Sequence, residues 1–314
     1  MIKIRTPSRI HITLIDLNGA LGRVDGGIGI TLDQPSLILS AEKADGVTVE
    51  GDSALCERVR RSAEMIAGGD RGAHITIEED ILSHVGLGSG TQASLAAGMA
   101  VNMLYDLGLS VYELAKIVKR GGTSGIGVAA FEQGGFILDG GHKFEEKGFK
   151  PSAVSHASPP PVLIRHDFPD WDIVLAIPNL QGASGVREVD IFQRECPIPI
   201  REVQAVSHVI LMELLPALFE EDLTTFGSAI NRIQDIGFKR REIELQPIAR
   251  EIMDVMLQNG AAGAGMSSFG PLVYGIADQP SGLQDAVKEH LKTSIGGDVM
   301  TVRARNTGAS IRFI

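Results

Sequence analysis

The segment His84-Val-Gly-Leu-Gly-Ser-Gly-Thr-Gln92 sets glycines at 86, 88 and 90, on alternating positions, and runs straight into the apolar stretch Ala93 to Asn102. Glycines let successive backbone N–H groups turn toward one concavity. A helix starting behind them adds its partial positive charge, so phosphate is the chemistry this shape serves. Ser89, Thr91 and Gln92 add side-chain donors, and Gly86, Gly88, Ser89, Gly90, Thr91 and Gln92 together form the expected phosphate cradle. No Gly-Lys-Ser/Thr closes the loop, which excludes a Walker loop. The acidic ribose-binding residue and preceding buried parallel strand of a dinucleotide fingerprint are also missing. A flexible turn capped by Ser89 or Thr91 is the competing account, but a turn needs one or two glycines rather than three.

Two further clusters are Gly121-Gly-Thr-Ser-Gly-Ile-Gly-Val-Ala-Ala-Phe-Glu-Gln-Gly-Gly135 and Gly260-Ala-Ala-Gly-Ala-Gly-Met-Ser-Ser-Phe-Gly-Pro271. The first places the hydroxyls of Thr123 and Ser124 before a short helix. The second places Ser267 and Ser268 in a loop between two strands. Near the N-terminus, two-residue alternation puts Arg9 and His11 on one strand face, with Thr13 beyond, and Ile10, Ile12 and Leu14 on the other. Arginine suits fork-like binding of carboxylate or phosphate, against which stands a polar face that is simply solvated.

Other polar residues carry paired readings. Asp16 and Arg23 flank the Asn18-Gly19 turn, as a local ion pair or as ligand contacts. Asp139-Gly-Gly-His142 ends a strand, either facing ligand or metal or forming an Asx turn with an exposed histidine. His84 either contacts an anion or is a structural hydrogen-bonder, Glu188 either serves the second half or lies on a charged helix face, and Lys239-Arg-Arg241 is a solvated helix entry or an anion contact.

The elements that must position these residues follow from periodicity and turn signals. Short strands at Ile2–Arg5, Ile10–Ile15, Gly29–Leu32, Leu37–Leu39 and Val47–Val49, separated by Asn-Gly and Asp-Gly turns, predict a β-meander. A helix capped by Ser53 follows, then a strand over Ala73–Glu78 and helices over Gly90–Leu107, Val111–Lys119 capped by Ser110, and Gly125–Glu132. Phe136–Leu138 reads as a strand, and 150–161, mixing Pro, Ser, Ala and His, as the linker between an N-terminal domain (1–155) and a C-terminal one (156–314). Beyond it, strands are expected at Pro161–Ile164, Trp171–Ile177 and Leu272–Ile276, with helices at Arg201–Phe219, Leu223–Gln234, Ile243–Gln258 and Gly282–Leu291. A last strand pair, Asp298–Arg305 and Ala309–Phe313, closes the chain. Uneven alternation of helix and strand predicts two α+β domains.

Composition excludes several functions. Of 314 residues, 44% are hydrophobic and 22% charged, the profile of a globular chain, while 37 glycines cluster rather than repeat. With 29 Lys+Arg against 39 Asp+Glu, the net charge of −10 gives no broad positive field for nucleic acid or an anionic membrane, so any phosphate site is local. Two distant cysteines, Cys56 and Cys196, form neither a metal knuckle nor a disulfide scaffold and suit a reducing, cytoplasmic setting. The most apolar helical stretch, Val209 to Phe219, is interrupted by Glu213 and Pro216, so no membrane span is expected.

Together with Thr6-Pro-Ser-Arg-Ile-His-Ile12 and Gly26-Gly-Ile-Gly29, the three glycine-rich loops resemble the motif set of the GHMP superfamily of galactokinase, homoserine, mevalonate and phosphomevalonate kinases, in order and over the whole chain. The resemblance implies an N-terminal domain like ribosomal protein S5 domain 2 and a C-terminal ferredoxin-like domain. Many of these kinases carry Ser-Gly-x-Asp after the second helix, where the Asp serves as base; here the run is Ser124-Gly-Ile-Gly127, and glycine takes no proton. The runs Ser8 to Gly19, Gly22 to Gly29, Gly86 to Gln92, Gly122 to Gly127, Phe131 to His142 and Met266 to Pro271 are similar to the archaeal β-ribofuranosylaminobenzene 5′-phosphate synthases. That family joins phosphoribosyl pyrophosphate to 4-aminobenzoate, or 4-hydroxybenzoate, with loss of carbon dioxide and pyrophosphate, in methanopterin biosynthesis. By that resemblance Arg9, His11, Asp16, Thr123 and Ser124 are the expected catalytic residues, and Arg23, Gly27, Ser267 and Ser268 the expected substrate contacts. Departure of pyrophosphate calls for Mg²⁺, with no organic cofactor and with Asp139, at its strand end, as a candidate ligand; small-molecule partners follow from the substrates, and the resemblance implies a homodimer. An ATP-dependent GHMP small-molecule kinase and a non-catalytic binding protein are the alternatives.

Overall fold

The computed structural model describes residues 1–151, 155, 157–180 and 186–314, with the backbone alone for 186–189. Strands β1 (Ile2–Arg5), β2 (Ser8–Asp16), β3 (Arg23–Leu32), β4 (Ile38–Ala44), β5 (Val47–Glu50) and β6 (Gly72–Glu79) follow in chain order, with helix α1 (Cys56–Ala67) between the last two; β1 and β5 alternate in burial, whereas β3 is buried on both faces from Val24 to Leu32. They do not form a meander. β1 pairs with β4, β4 with β6 and β6 with β5 in one sheet, whereas β2 pairs with β3 in another. Turn residues mark where the chain reverses, but pairing partners are set by which apolar faces share a core.

Helix α2 (Ser89–Leu104) explains how the glycine loop is held. Nearly every position from Gln92 to Asn102 is buried, and a helix apolar all round must lie inside the fold. Helix α1 packs on it through Val59, Ser62, Ala63, Ile66 and Ala67, a stripe at helical spacing. Arg58 and Arg61, three residues apart, stay together on the flank of that stripe. Ser53 does not cap α1: the helix starts after Leu55, and the Ser53 hydroxyl instead accepts from the Leu55 N–H at 2.9 Å. Ser110 does cap α3 (Val111–Ile117), in a reciprocal box with Glu113. α4 (Ile126–Glu132) follows the second glycine cluster.

β7 (Phe136–Asp139) continues the second sheet beside β3, β8 (His142–Lys143) pairs with the start of β3, and β9 (Val162–His166) pairs with β7. The expected boundary at 155 therefore does not separate the sheets, because β9 belongs to the N-terminal one; of the linker, 152–154 and 156 lie outside the described residues. β10 (Asp172–Pro178), β11 (Gly263–Met266), β12 (Val273–Ala277) and β13 (Gly297–Arg303) form an antiparallel sheet in the order β11-β12-β10-β13. That is the ferredoxin-like strand order. The last two strands are not a pair: β13 joins β10, while β14 (Ser310–Phe313) returns to β1. Both ends of the chain thus close the N-terminal sheet.

Two helical expectations change. Ile200–Phe219 is continuous through Pro216 and is long and apolar enough to cross a membrane by length and composition. A π-helical stretch, Ile210–Leu214, precedes the proline, which has no N–H to give to a helical carbonyl. Val203, Val206, Ile210, Leu214, Leu215 and Leu218 of this helix are buried in the core. The helix expected over Ile243–Gln258 is two, Gly237–Glu244 and Pro247–Gln258, with Pro247 opening the second.

Candidate functional site

Gly88 is the residue before α2, and its φ of +80° is the left-handed conformation in which a side chain is strained. A Cβ there would lie 3.1 Å from Arg9 Nε, so the loop rests directly on the Arg9 side chain. Arg9 Nη1 donates to the Gly86 carbonyl at 2.5 Å, and Nε is buried with no partner. Burial moves this guanidinium down to about 10, which still leaves it a cation at neutral pH. In the first turn of α2 the N–H groups of Thr91 and Gln92 fold back on the Gly88 carbonyl, at 3.0 and 3.2 Å. The amides of Ser89 and Gly90 remain as the open donors of the helix terminus.

These groups face a cavity of about 210 Å³ that Arg9, Arg58, His84, Ser89, Thr91 and Arg120 help to line. A smaller space of about 80 Å³ continues it between Arg9, Thr91, Arg120, Thr123, Ser124 and Gly127. Among the described residues neither has a carboxylate on its wall. The Arg58 guanidinium lies over Gly90, 3.4 Å from where its Cβ would be, and Arg120 Nε donates to Ser94 Oγ at 3.3 Å. Sequence reasoning missed both arginines. Lys119-Arg120 standing directly before the second glycine cluster was the available signal; for Arg58 there was none beyond the helical spacing to Arg61.

The sheet register brings a second polar group together behind the loop. His11 sits opposite Gly29 across β2 and β3, and Gly27 opposite Asp139 across β3 and β7. A Cβ on Gly27 would stand 3.0 Å from His11 Nε2, 3.3 Å from Ser124 Oγ and 3.4 Å from Asp139 Oδ2, so its bare backbone is what lets these three approach. His11 is buried with both ring nitrogens unpartnered. Burial first, and then the Arg9 and Lys239 cations, hold its pKa well below the usual range, so the ring is neutral. The alternation expected through Thr13 ends at His11, where a bulge intervenes; Thr13 is buried and donates to the Leu14 carbonyl.

Several expected site residues hold structure instead. Gln92 is fully buried and donates to the Gly127 carbonyl at 2.8 Å, tying α2 to α4, so it is not part of the cradle's open face. Ser267 Oγ accepts from the His11 N–H at 3.0 Å and donates to the Gly86 carbonyl at 2.7 Å, clamping the loop to β2. Ser268 does line the cavity. Lys239, expected at a solvated helix entry, is fully buried, paired with Glu242 at 2.5 Å and donating to the carbonyls of Met266 and Ser268. Asp16 accepts from the Asn18 and Gly19 N–H groups of its own turn, and Arg23 donates to the Gly140 and Gly141 carbonyls. The two neither pair nor line these cavities. The Glu188 side chain lies outside the described residues.

Asp139 accepts from the Gly125 and Gly141 N–H groups, both at 2.9 Å, and from Ser124 Oγ at 3.3 Å. Burial pushes its carboxyl up to about 6 against the pull of those amides. With both oxygens engaged it is no open metal ligand, and among the described residues no three His, Cys, Asp or Glu side chains gather to hold an ion. His142, read either as a ligand or metal contact or as an exposed histidine, is instead buried between Asp25 (2.7 Å) and the Gly121 carbonyl (2.9 Å), and Lys147 reaches the other Asp25 oxygen at 2.6 Å.

Comparison with known proteins agrees with this architecture. Family models described as the GHMP kinases N terminal domain and GHMP kinases C terminal match residues 54–135 and 214–293. Solved structures sharing the fold include homoserine kinase from Cytophaga hutchinsonii (17% identity, 99% of this chain and 97% of that one, TM-score 0.66). Mevalonate kinase from L. major with R-mevalonate is another (16% identity, 98% and 96%, TM-score 0.70). Much nearer in sequence are curated proteins named β-ribofuranosylphenol 5′-phosphate synthase. The protein from Methanothermobacter thermautotrophicus is 48% identical over 98% of this chain and 97% of its own, and that from Methanocaldococcus jannaschii 40% identical over 98% and 99%. Identity of that order along both chains, on a GHMP fold whose glycine loop rests on Arg9 and whose kinase aspartate is Gly127, places this chain in the β-ribofuranosylphenol 5′-phosphate synthase family.

Proposed function

We propose that this protein joins phosphoribosyl pyrophosphate to a 4-substituted benzoate, with 4-hydroxybenzoate the favoured acceptor and 4-aminobenzoate the second. The name of the relatives, which makes their product a ribofuranosylphenol phosphate, is the reason for that order. The observation that carries the reading is the wall of the loop cavity, made of guanidinium groups, hydroxyls, amides and the His84 imidazole, with no carboxylate among the described residues. Such a wall holds a diphosphate and stabilises it as it departs, and lacks the carboxylate base that many of the kinases offer a phosphoryl acceptor.

In the reaction the bond from the anomeric carbon to pyrophosphate breaks, leaving oxocarbenium character on the ribose. The ring carbon bearing the carboxylate attacks, and the electron pair of the carboxylate bond restores aromaticity as carbon dioxide leaves. Arg9, Arg58 and Arg120, with the Ser89 and Gly90 amides, hold the diphosphate. Thr123 and Ser124 face the adjoining space. The chemistry is positioning and charge stabilisation, with no covalent intermediate on the protein. Mg²⁺ enters as the metal complex of the diphosphate substrate, and the enzyme works as a homodimer, as the family resemblance implies.

The test is incubation with phosphoribosyl pyrophosphate, Mg²⁺ and carboxyl-labelled 4-hydroxybenzoate, then the 4-amino analogue. Labelled carbon dioxide is expected. Its absence with both acids overturns the reading, and sedimentation at several concentrations tests the dimer.

A further inference from the structure

A second cavity, of about 580 Å³, adjoins the loop on the far side of Arg58 and Arg120, which line both spaces. α1 contributes Arg58 and Arg61, α2 contributes Ser94, and the segment after α3 contributes Lys119 and Arg120. One carboxylate, Glu57, reaches this wall, and it is held by Arg60 on the neighbouring helix flank. Among the described residues none of Arg58, Arg61, Lys119 and Arg120 has an ion-pair partner. Four unpaired cations in one concavity are unfavourable by themselves, and on a chain of net charge −10 they are not the spill-over of a basic surface. Arg58 registers the crowding: burial, and after it the Arg61 charge, lower its pKa. An anion seated among the four removes the repulsion and gains charge-assisted hydrogen bonds.

We propose that this second cavity binds the 5′-phosphate of a sugar phosphate, with Arg61 and Lys119 as its outer contacts and Arg58 and Arg120 as the wall shared with the diphosphate site. The proposal rests on the synthase reading, because phosphoribosyl pyrophosphate carries its two anionic groups at opposite sides of one ribose ring. The loop, with its buried Arg9 and helix terminus, suits the diphosphate whose charge grows on leaving. The open cavity, rimmed by the long side chains of Arg61 and Lys119, suits a phosphate that only anchors. Arg61 and Lys119 are thus binding residues remote from the breaking bond. Their loss should raise KM for phosphoribosyl pyrophosphate and leave kcat nearly unchanged.

The test is calorimetric titration of the full chain, without divalent cation, with ribose 5-phosphate, with pyrophosphate and with ATP. In the Arg61→Ala/Lys119→Ala double variant, ribose 5-phosphate affinity should fall about ten- to a hundredfold while pyrophosphate affinity stays within about twofold. Arg61→Lys should recover part of the loss, and Ser89→Ala should show the opposite selectivity. A thermal melt like that of the unmodified protein establishes that each variant is folded. An equal fall for both anions overturns the proposal in favour of a diffuse field, and so does no change for either. Weakened ATP with unchanged ribose 5-phosphate overturns it in favour of a nucleotide pocket. Because the titrations need neither aromatic acid nor turnover, they remain decisive if no carbon dioxide is released, and a working synthase with unselective titrations would lose this subsite alone.

Discussion

Two groups of ionisable side chains in the N-terminal half behave oppositely. Asp25, His142 and Lys147 are each almost fully buried, and the Asp25 carboxylate meets the other two at 2.7 and 2.6 Å. Arg9, Arg58 and Arg120 line an open cavity, and none has a carboxylate partner among the described residues. Buried charges that find each other fix the register of β3 against the segment after β8. Cations left without partners, held in place by packing and by carbonyls, are available to a ligand. The pairing state, more than the residue type, separates scaffold from site.

The comparison breaks most visibly if the scaffold cluster loses one member. Lys147→Met should destabilise the protein by about 3–5 kcal/mol in denaturant unfolding, because the Asp25 carboxylate is left buried with one partner fewer. Arg120→Met, in the open group, should cost less than about 1 kcal/mol of stability while weakening pyrophosphate binding. Equal losses in the two variants would erase the distinction.

Asp139 sharpens it through pH. Its folded pKa of about 6 lies above an unfolded value near the usual ~3.9, so the folded protein keeps the proton longer. The stability this group contributes is present below about pH 4 and is lost as pH rises through about 6, a change on the order of 2–3 kcal/mol. Unfolding measured at pH 4 and pH 7 should show the unmodified protein losing that much relative to Asp139→Asn. A difference independent of pH would mean that the carboxyl is ionised throughout.

At the loop, Gly88→Val should abolish measurable binding of phosphoribosyl pyrophosphate, since the side chain meets both the positive φ and the Arg9 guanidinium. Ser89→Ala should remove one charge-assisted bond, ~1.5–3 kcal/mol or about ten- to a hundredfold in affinity, and spare the aromatic acid. No selective effect in a folded Ser89→Ala protein would make the loop a turn. The smallest effect belongs to Arg23→Gln: an exposed side chain bonded to two carbonyls should change stability by less than about 1 kcal/mol and leave turnover unaltered.

The residues themselves declared the local elements. Leu223–Gln234 and Ile2–Arg5 begin and end where periodicity places them, and Ser110 caps its helix because the capping box lies within four residues of chain. The glycine loop leading into α2 was legible for the same reason, since positive φ, open amides and a helix terminus are properties of consecutive residues. The phosphate chemistry proposed for Gly86 to Thr91 followed from it.

What the chain could not declare locally was partnership. Tertiary packing decided that β14 crosses to β1 rather than pairing with β13, that Gln92 and Ser267 serve the scaffold, and that Lys239 is buried against Glu242. It also decided that Arg58 and Arg120, far apart in sequence, share one wall with Arg9. A cap or a turn is a short-range free-energy minimum written in a few neighbouring residues. Which strand completes a sheet and which cations stay unpaired depend on how all the apolar faces are buried together, and that balance exists only once the chain has closed on itself.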